Sequence, residues 1–195
     1  MGKFKDFYKN FLSESLETVL EMPQHYPGDI HYQAEGKFVP ISKNNVKSYI
    51  FLGSDGDYTF YLHPSKENGY VFRNDNLEDS GNDVQPSMIV SLRDTPFGFK
   101  QAHKLRIKEK DSRRNITTTW YLLYAQREGG VVSDFEHLEG GKTLWRSLVN
   151  NAESRGFKVF LLKNSEKLPI SKETPDSEIW NTDPSGRQTL IMLER

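Results

Sequence analysis

Apolar residues recur at three- and four-residue spacing through the start of the chain: Phe4, Phe7, Tyr8, Phe11, Leu12, Leu16, Val19 and Leu20. That spacing predicts an amphipathic helix over residues 1–20, which Pro23 ends. Its polar face carries both charge signs, which argues against a membrane-surface helix. The segment 28–36 has the composition of a loop. The pattern then changes to strands. Residues 38–41 predict a short strand. Residues 48–52 and 57–62 are β-rich and flank Gly53, Ser54, Asp55 and Gly56. Asp-Gly is a strong hairpin signal, because both residues tolerate positive φ. Residues 74–85 are polar and acidic and predict a mobile surface loop, closed by Pro86. A strand is expected over 87–92.

In the second half, His103, Leu105 and Ile107 alternate with Lys104, Arg106 and Lys108. Period two predicts a strand with one buried and one solvated face. Residues 117–124 are apolar and β-prone throughout, as a central strand covered on both faces would be. Residues 131–135 predict a further strand, antiparallel to 117–124. The cleanest helical stripe is Leu144, Trp145, Leu148, Val149 and Ala152, in a helix expected over 142–155. Gly140 and Gly141 precede it, and Gly156 follows as a left-handed cap. Residues 157–162 read as a buried strand. The strand–helix–strand succession predicts a parallel pair with a right-handed crossover. Residues 163–177, with Pro169 and Pro175, are expected to be mostly loop. Residues 178–180 and 188–193 predict a last hairpin about the turn 183–186.

These elements predict an α+β or α/β chain. Its sheet is mixed and mostly antiparallel, with one parallel strand–helix–strand unit and an N-terminal amphipathic helix. The expected division is a helix and hairpin portion over 1–85 and a core over 86–195, forming one compact domain. A length of 195 residues supports a core without disulfides or a structural metal. Aromatic residues make up 12% of the chain and carry much of the burial. Cysteine is absent, which removes disulfides, thiolate metal sites and cysteine nucleophiles. No stretch approaches the length and apolarity of a membrane span, and the N-terminus lacks the apolar run of a signal peptide. The chain is therefore expected to be soluble and cytoplasmic.

Candidate chemistry gathers after the strand at 131–135. Gly140, Gly141, Lys142 and Thr143 include the Gly-Lys-Thr ending of a P-loop, but Glu136 occupies the place of its first glycine, so the phosphate cradle is not built. Two glycines at a helix start still free backbone N–H groups for an anion, or only permit a tight turn. Asp134, Glu136 and His137 lie where a general base is placed in open α/β sheets. They suit a solvated helix start equally well. No histidine pair has metal-ligand spacing, and no metal is expected. Asp55, Gly56 and Asp57 read as a turn, because the distal ligands of a calcium loop are missing. Asn115 to Thr117 matches a glycosylation sequon, but nothing in the chain suggests secretion.

The order of antiparallel strands, strand, glycine-marked turn, helix, strand and terminal hairpin over 86–195 resembles the GNAT N-acetyltransferase superfamily. The resemblance implies acetyl-CoA or another acyl-CoA as cofactor, with its pyrophosphate on backbone amides of the turn from His137 to Thr143. It implies a pantetheine arm lying along a splayed strand, and an amine that attacks the thioester while Asp134 or Glu136 takes the proton. Glu136 and Glu139 make this pyrophosphate loop degenerate, and Lys142 and Arg146 offset part of their charge.

Two other functions fit the residues. Residues 100–114 carry seven basic and two acidic side chains, net +5, which leaves −6 for the rest of a chain of net charge −1. That segregation suits nucleic-acid binding through Lys104, Arg106 and Lys108, or only a solvated strand face. The charge pattern and the aromatic hairpins also suit an accessory protein, of the phage or mobile-element kind, that works by recognising a protein partner.

Overall fold

The computed structural model describes residues 38–95, 97–108, 111, 115–133, 139–163, 166–180 and 190–195. The helix expected over 1–20 and the loop over 28–36 lie outside the described residues, as does the turn at 183–186.

The described chain opens on β1 (Ile41–Ser42) and one helical turn, α1 (Lys43–Val46). The predicted hairpin follows as β2 (Ile50–Asp55) and β3 (Tyr58–Leu62), turning at Gly56, whose φ is +54°. That left-handed conformation is the one glycine adopts without penalty. Next come β4 (Asn68–Arg73), α2 (Asn74–Glu78), β5 (Asp83–Val84), β6 (Met88–Arg93) and β7 (Gln101–Ile107). The chain continues with α3 (Ile116–Glu128), β8 (Gly130–Val132), α4 (Glu139–Ala152), β9 (Lys158–Lys163), β10 (Glu166–Ile170), α5 (Asp176–Ile179) and β11 (Leu190–Glu194).

Nine of these strands join in one sheet, in the order β2-β3-β4-β6-β7-β8-β11-β9-β10. Each neighbouring pair is antiparallel except β7 and β8. The mixed, mostly antiparallel α+β class expected from the sequence is therefore the one found. β1 and β5 form a separate two-stranded ladder.

The largest departure is α3. Residues 117–124 are helical, not a central strand, so they do not pair with the strand that follows. Ile116, Trp120, Tyr121, Leu122, Tyr124 and Ala125 are all buried, on more than one side of the helix. A helix buried that widely has no polar stripe, so its apolar run reads like a covered strand. Its C-terminal limit carries a helix signal: Gly129 closes the helix in the left-handed conformation at φ +87°. The parallel pair is also displaced. β8 and β9 are not neighbours across α4; β11 lies between them, antiparallel to both. The hydrogen-bonded parallel strands are β7 and β8, joined through α3.

Smaller corrections have simple causes. Residues 74–85 hold α2 and β5 instead of a plain loop. Residues 163–177 include β10, whose Pro169 is tolerated because β10 is an edge strand. Residues 178 and 179 belong to α5, so the expected last hairpin is absent and β11 pairs inside the sheet.

Both long helices pack on one face. Tyr58, Phe60, Leu62, Val71, Met88, Val90 and Leu105 meet Trp120, Tyr121, Tyr124, Trp145 and Leu148 in a single cluster. Each large side chain buried there contributes about 1.5–3 kcal/mol. Trp120 stacks on Tyr124 at 4.9 Å, Tyr121 meets Trp120 edge-on at 5.5 Å, and Tyr121 meets Trp145 edge-on at 5.5 Å. This aromatic chain ties α3 to α4. On the opposite face, Val46, Phe72 and Val84 form a second cluster beneath α1. Val132, Leu162, Leu190 and Met192 form a third, with Phe97, Phe99 and Phe160 packed against it.

α4 is also held from outside. Arg146 Nε donates to Asp176 Oδ1 at 2.8 Å, and Arg146 Nη2 donates to the same oxygen and to the Thr174 carbonyl. The Arg146 hydrogen bonds hold the Asp176 carboxyl below the usual range. A depressed carboxyl contributes stability above its unfolded pKa of about 3.9 and loses it as pH falls through the lower folded value. Asp176→Asn is therefore expected to be less stable than the wild type near neutrality, with the gap closing on acidification to about pH 2. Denaturant midpoints across that range measure it. A gap that stays constant would exclude the ion pair as its origin.

Candidate functional site

Among the described residues the sheet has one parallel contact, and it is short. Among the described residues, β7 and β8 share a single register pair, Gln101 with Val132, and Val132 N–H donates to the Lys100 carbonyl at 3.0 Å. Past that point, Ser133 is bound to β11. Its N–H donates to the Ile191 carbonyl, and its Oγ accepts the Ile191 N–H, each at 2.8 Å. The fully buried Gln101 side chain bridges the joint. Its Nε2 donates to the Ser133 carbonyl and its Oε1 accepts from Arg93 Nε, both at 2.6 Å. Gln101→Leu removes both bonds in a buried place and is expected to cost about 1–3 kcal/mol. A urea midpoint equal to that of the wild type would contradict this role.

Beyond the joint, β7 is bent. Ser91 opposes Lys104 and Leu92 opposes Ala102, so His103 is the extra residue of a β-bulge. A bulge takes a residue out of the ladder, strengthens the local twist and re-aims the backbone. Along 102–107, the ladder partners of β7 among the described residues are on β6.

At its far end, β7 leads to α3 through a polar connection. Lys108 N–H donates to the Ser87 carbonyl at 2.9 Å, and Asp111 N–H donates to the Lys108 carbonyl at 2.9 Å. The Asp111 carboxylate is fully buried, and its Oδ1 accepts the Tyr58 hydroxyl at 2.6 Å. Its Oδ2 is buried without a hydrogen-bond partner. α3 then starts at Asn115, with no side-chain cap. The Asn115 carbonyl accepts the Thr119 N–H at 3.0 Å, and Thr119 Oγ1 donates to Asp55 Oδ2 at 3.1 Å. The first N–H groups of a helix without a side-chain cap carry the positive end of its dipole. In open α/β sheets ligands bind outside the carboxyl ends of the strands, beside the helix starts that follow them.

The residues expected from sequence fall differently. Asp134, Glu136 and His137 lie outside the described residues. Gly140, Gly141, Lys142 and Thr143 stand in the first turn of α4, which begins at Glu139 rather than after the glycines. Thr143 is exposed and Lys142 is half-buried, adding to the field that lowers Asp176. Arg146, expected to offset charge at the loop, clasps Asp176 and Thr174. On the basic strand, Lys104 is exposed, while Arg106 and Lys108 are partly buried. Lys108 Nζ lies 3.2 Å from Gln85 Oε1 and 5.3 Å from the Phe38 ring centre. The three cations do not form one equally free row.

Sequence reasoning passed over Gln101, Tyr58, Asp111 and Asn115. Asn115 carried a usable signal, because Asn tolerates the left-handed conformation and precedes a run with helix length. The Tyr58–Asp111 contact spans 53 residues and has no local signature.

Among the described residues, no group of three or more His, Asp or Glu is placed to hold a metal ion. No helix there is long and apolar enough to cross a membrane. Compared with protein-family models and with curated proteins, the chain matches none.

Proposed function

We propose that the protein is a GNAT-like N-acyltransferase that takes an acyl-CoA into the opening between β7 and β8. The observation that carries this reading is that, among the described residues, two parallel strands share a single register pair, in a sheet otherwise antiparallel, with a helix crossing between them. The bulge at His103 and the uncapped start of α3 support the same place. In this reading the pantetheine arm lies along the β8-facing edge of β7 and bonds to its backbone. The pyrophosphate sits at the start of α3, where the preceding sequence Ser112, Arg113, Arg114 and Asn115 supplies two cations. This moves the phosphate from the Gly140–Thr143 turn to the connection that follows β7.

The reaction needs little from the side chains. An amine nitrogen attacks the thioester carbonyl, the C–S bond breaks, and coenzyme A leaves as the thiolate. Asp134, Glu136 or His137, which follow β8 in sequence, accept the proton released by the attacking nitrogen.

Calorimetric titration with acetyl-CoA tests the reading. Saturable heat is expected, together with thiol release when a panel of small amines is added. No heat and no mobility change at millimolar acetyl-CoA would remove the enzyme.

A further inference from the structure

A second place on the molecule has features the acyl-transfer reading does not use. α1, the chain after it, β2, β3 and α2 enclose a groove of about 580 Å³ on the face opposite α3 and α4. Its floor is aromatic. Tyr49 and Tyr61 are half-buried, while Phe51 is 56% exposed, the most exposed aromatic ring among the described residues. Phe51 meets Tyr61 edge-on at 6.0 Å, and Tyr49 stacks on Tyr70 at 5.3 Å. These rings are therefore fixed by their neighbours, and little order is lost when a flat ligand is placed on them.

The rim is basic. Lys43 and Lys47 line the groove, and neither has a carboxylate partner among the described residues. Lys43 Nζ donates to the Asp79 carbonyl, and Lys47 Nζ donates to Asn44 Oδ1 at 3.2 Å. Lys66, Lys100, Lys167 and Lys172 each pair with an acid instead. The α2 side of the groove supplies Leu77, Gly81 and Asn82, with the Asp79 carboxylate close behind Gly81, so the cationic edge is the α1 side. Two cations without a salt-bridge partner among the described residues, beside an exposed ring, fit a ligand that carries both a flat base and phosphates. Among the described residues β2 is the last strand of the sheet, which leaves its outer side for a chain to run along.

We infer that this groove binds single-stranded nucleic acid, with a base stacked on Phe51 and adjacent phosphates on Lys43 and Lys47. Stacking on a ring with phosphates on nearby cations is how single strands are held without sequence preference. The site lies four strand spacings from β7, about 19 Å at ~4.8 Å per spacing, so it does not depend on the acyl-transfer reading. It also differs from the basic strand, where among the described residues no exposed ring accompanies Lys104 and Arg106.

The test is fluorescence anisotropy with a labelled oligothymidylate of about 15 nucleotides. Two phosphate contacts to a single strand predict a logarithmic salt slope of about −1.4, hence about a sevenfold loss of affinity between 50 and 200 mM salt. Phe51→Ala is expected to weaken binding at least fivefold or so, and Phe51→Trp to retain it with quenching of the new indole. Lys43→Glu with Lys47→Glu is expected to weaken binding by about the same factor or more and to flatten the salt slope. Phe51 and Lys47 are exposed, so Phe51→Ala and Lys47→Glu alone are expected to leave the circular dichroism unchanged; Lys43→Glu also removes the bond to the Asp79 carbonyl, and Lys47→Glu by itself is the arm that separates lost binding from lost folding. Absence of binding by the wild type at about 50 mM salt would overturn the inference. So would binding that survives both groove variants and is lost in Lys104→Glu with Arg106→Glu, which would assign it to the basic strand. Displacement of the oligonucleotide by polyglutamate, with Phe51→Ala fully active, would assign the groove to an acidic protein and overturn the inference as well.

Discussion

Gly69→Ala is expected to remove a large part of the folding free energy by a single added methyl group. A Cβ at Gly69 would lie 2.1 Å from Trp120 Cζ2 and 2.4 Å from Cε2. The indole has nowhere to go: it is fully buried, stacked on Tyr124 and flanked by Tyr121. Overpacking of this kind costs about 1–3 kcal/mol, and here the upper end applies, since either α3 or β4 must shift. For a chain of this size each kcal/mol lowers Tm by about 2–4 °C. Trp120→Ala is expected to cost about 3–5 kcal/mol alone, through the cavity it leaves. The clash in Gly69→Ala needs the indole, which Trp120→Ala removes, so together the two changes should cost well under their sum. Thermal melts of the two single variants and the double variant measure this. Strict additivity would show that Gly69 and Trp120 are not in contact.

The second large effect is expected at Tyr58. Tyr58→Phe takes the 2.6 Å donor from the Asp111 carboxylate, which is fully buried and already has one oxygen without a partner. Leaving a charged group short of its partner costs about 1–3 kcal/mol or more, beyond the modest net value of the bond. Asp111→Leu in the Tyr58→Phe background should recover part of the loss, because two apolar partners leave nothing unsatisfied. Urea denaturation of the four proteins in the cycle decides it. A Tyr58→Phe variant as stable as the wild type would mean that the carboxylate draws its support from elsewhere. The same residues join β3 to the β7–α3 connection, so the variant also bears on the candidate site.

The sequence was most readable where one face is wet. β7 alternates Leu105 and Ile107 with Lys104 and Arg106; its buried side was assigned correctly at Leu105 and Ile107, while on the side expected to be solvated Lys104 is exposed and Arg106 and Lys108 are partly buried. α4 has a stripe, Trp145, Leu148, Val149 and Ala152, and was placed to within a few residues at its start. The β2–β3 hairpin was marked by its Asp-Gly pair. α3 failed for the opposite reason: with Trp120, Tyr121, Leu122 and Tyr124 all buried, period carries no information. That one assignment moved the parallel pair from β7/β8 to the strands around α4, and with it the expected phosphate turn. The joint itself could not be read at all. Gln101, Ser133 and Ile191 come from three separate segments and meet only through the sheet order.

That order also sets a sequence of events during synthesis. β8 and β9 cannot close on each other, because the strand between them, β11, is made about thirty residues after β9. At the usual ~5–20 residues per second, the ribosome leaves two inner strand edges exposed for a few seconds. Leu190, Ile191, Met192 and Leu193 are almost wholly buried once in place, so the arriving strand has strong reason to insert. Until it does, the nascent chain is a half-sheet with an unfilled slot, open to pairing with a neighbour's strand. The step that finishes the sheet is therefore also the one that protects it from aggregation.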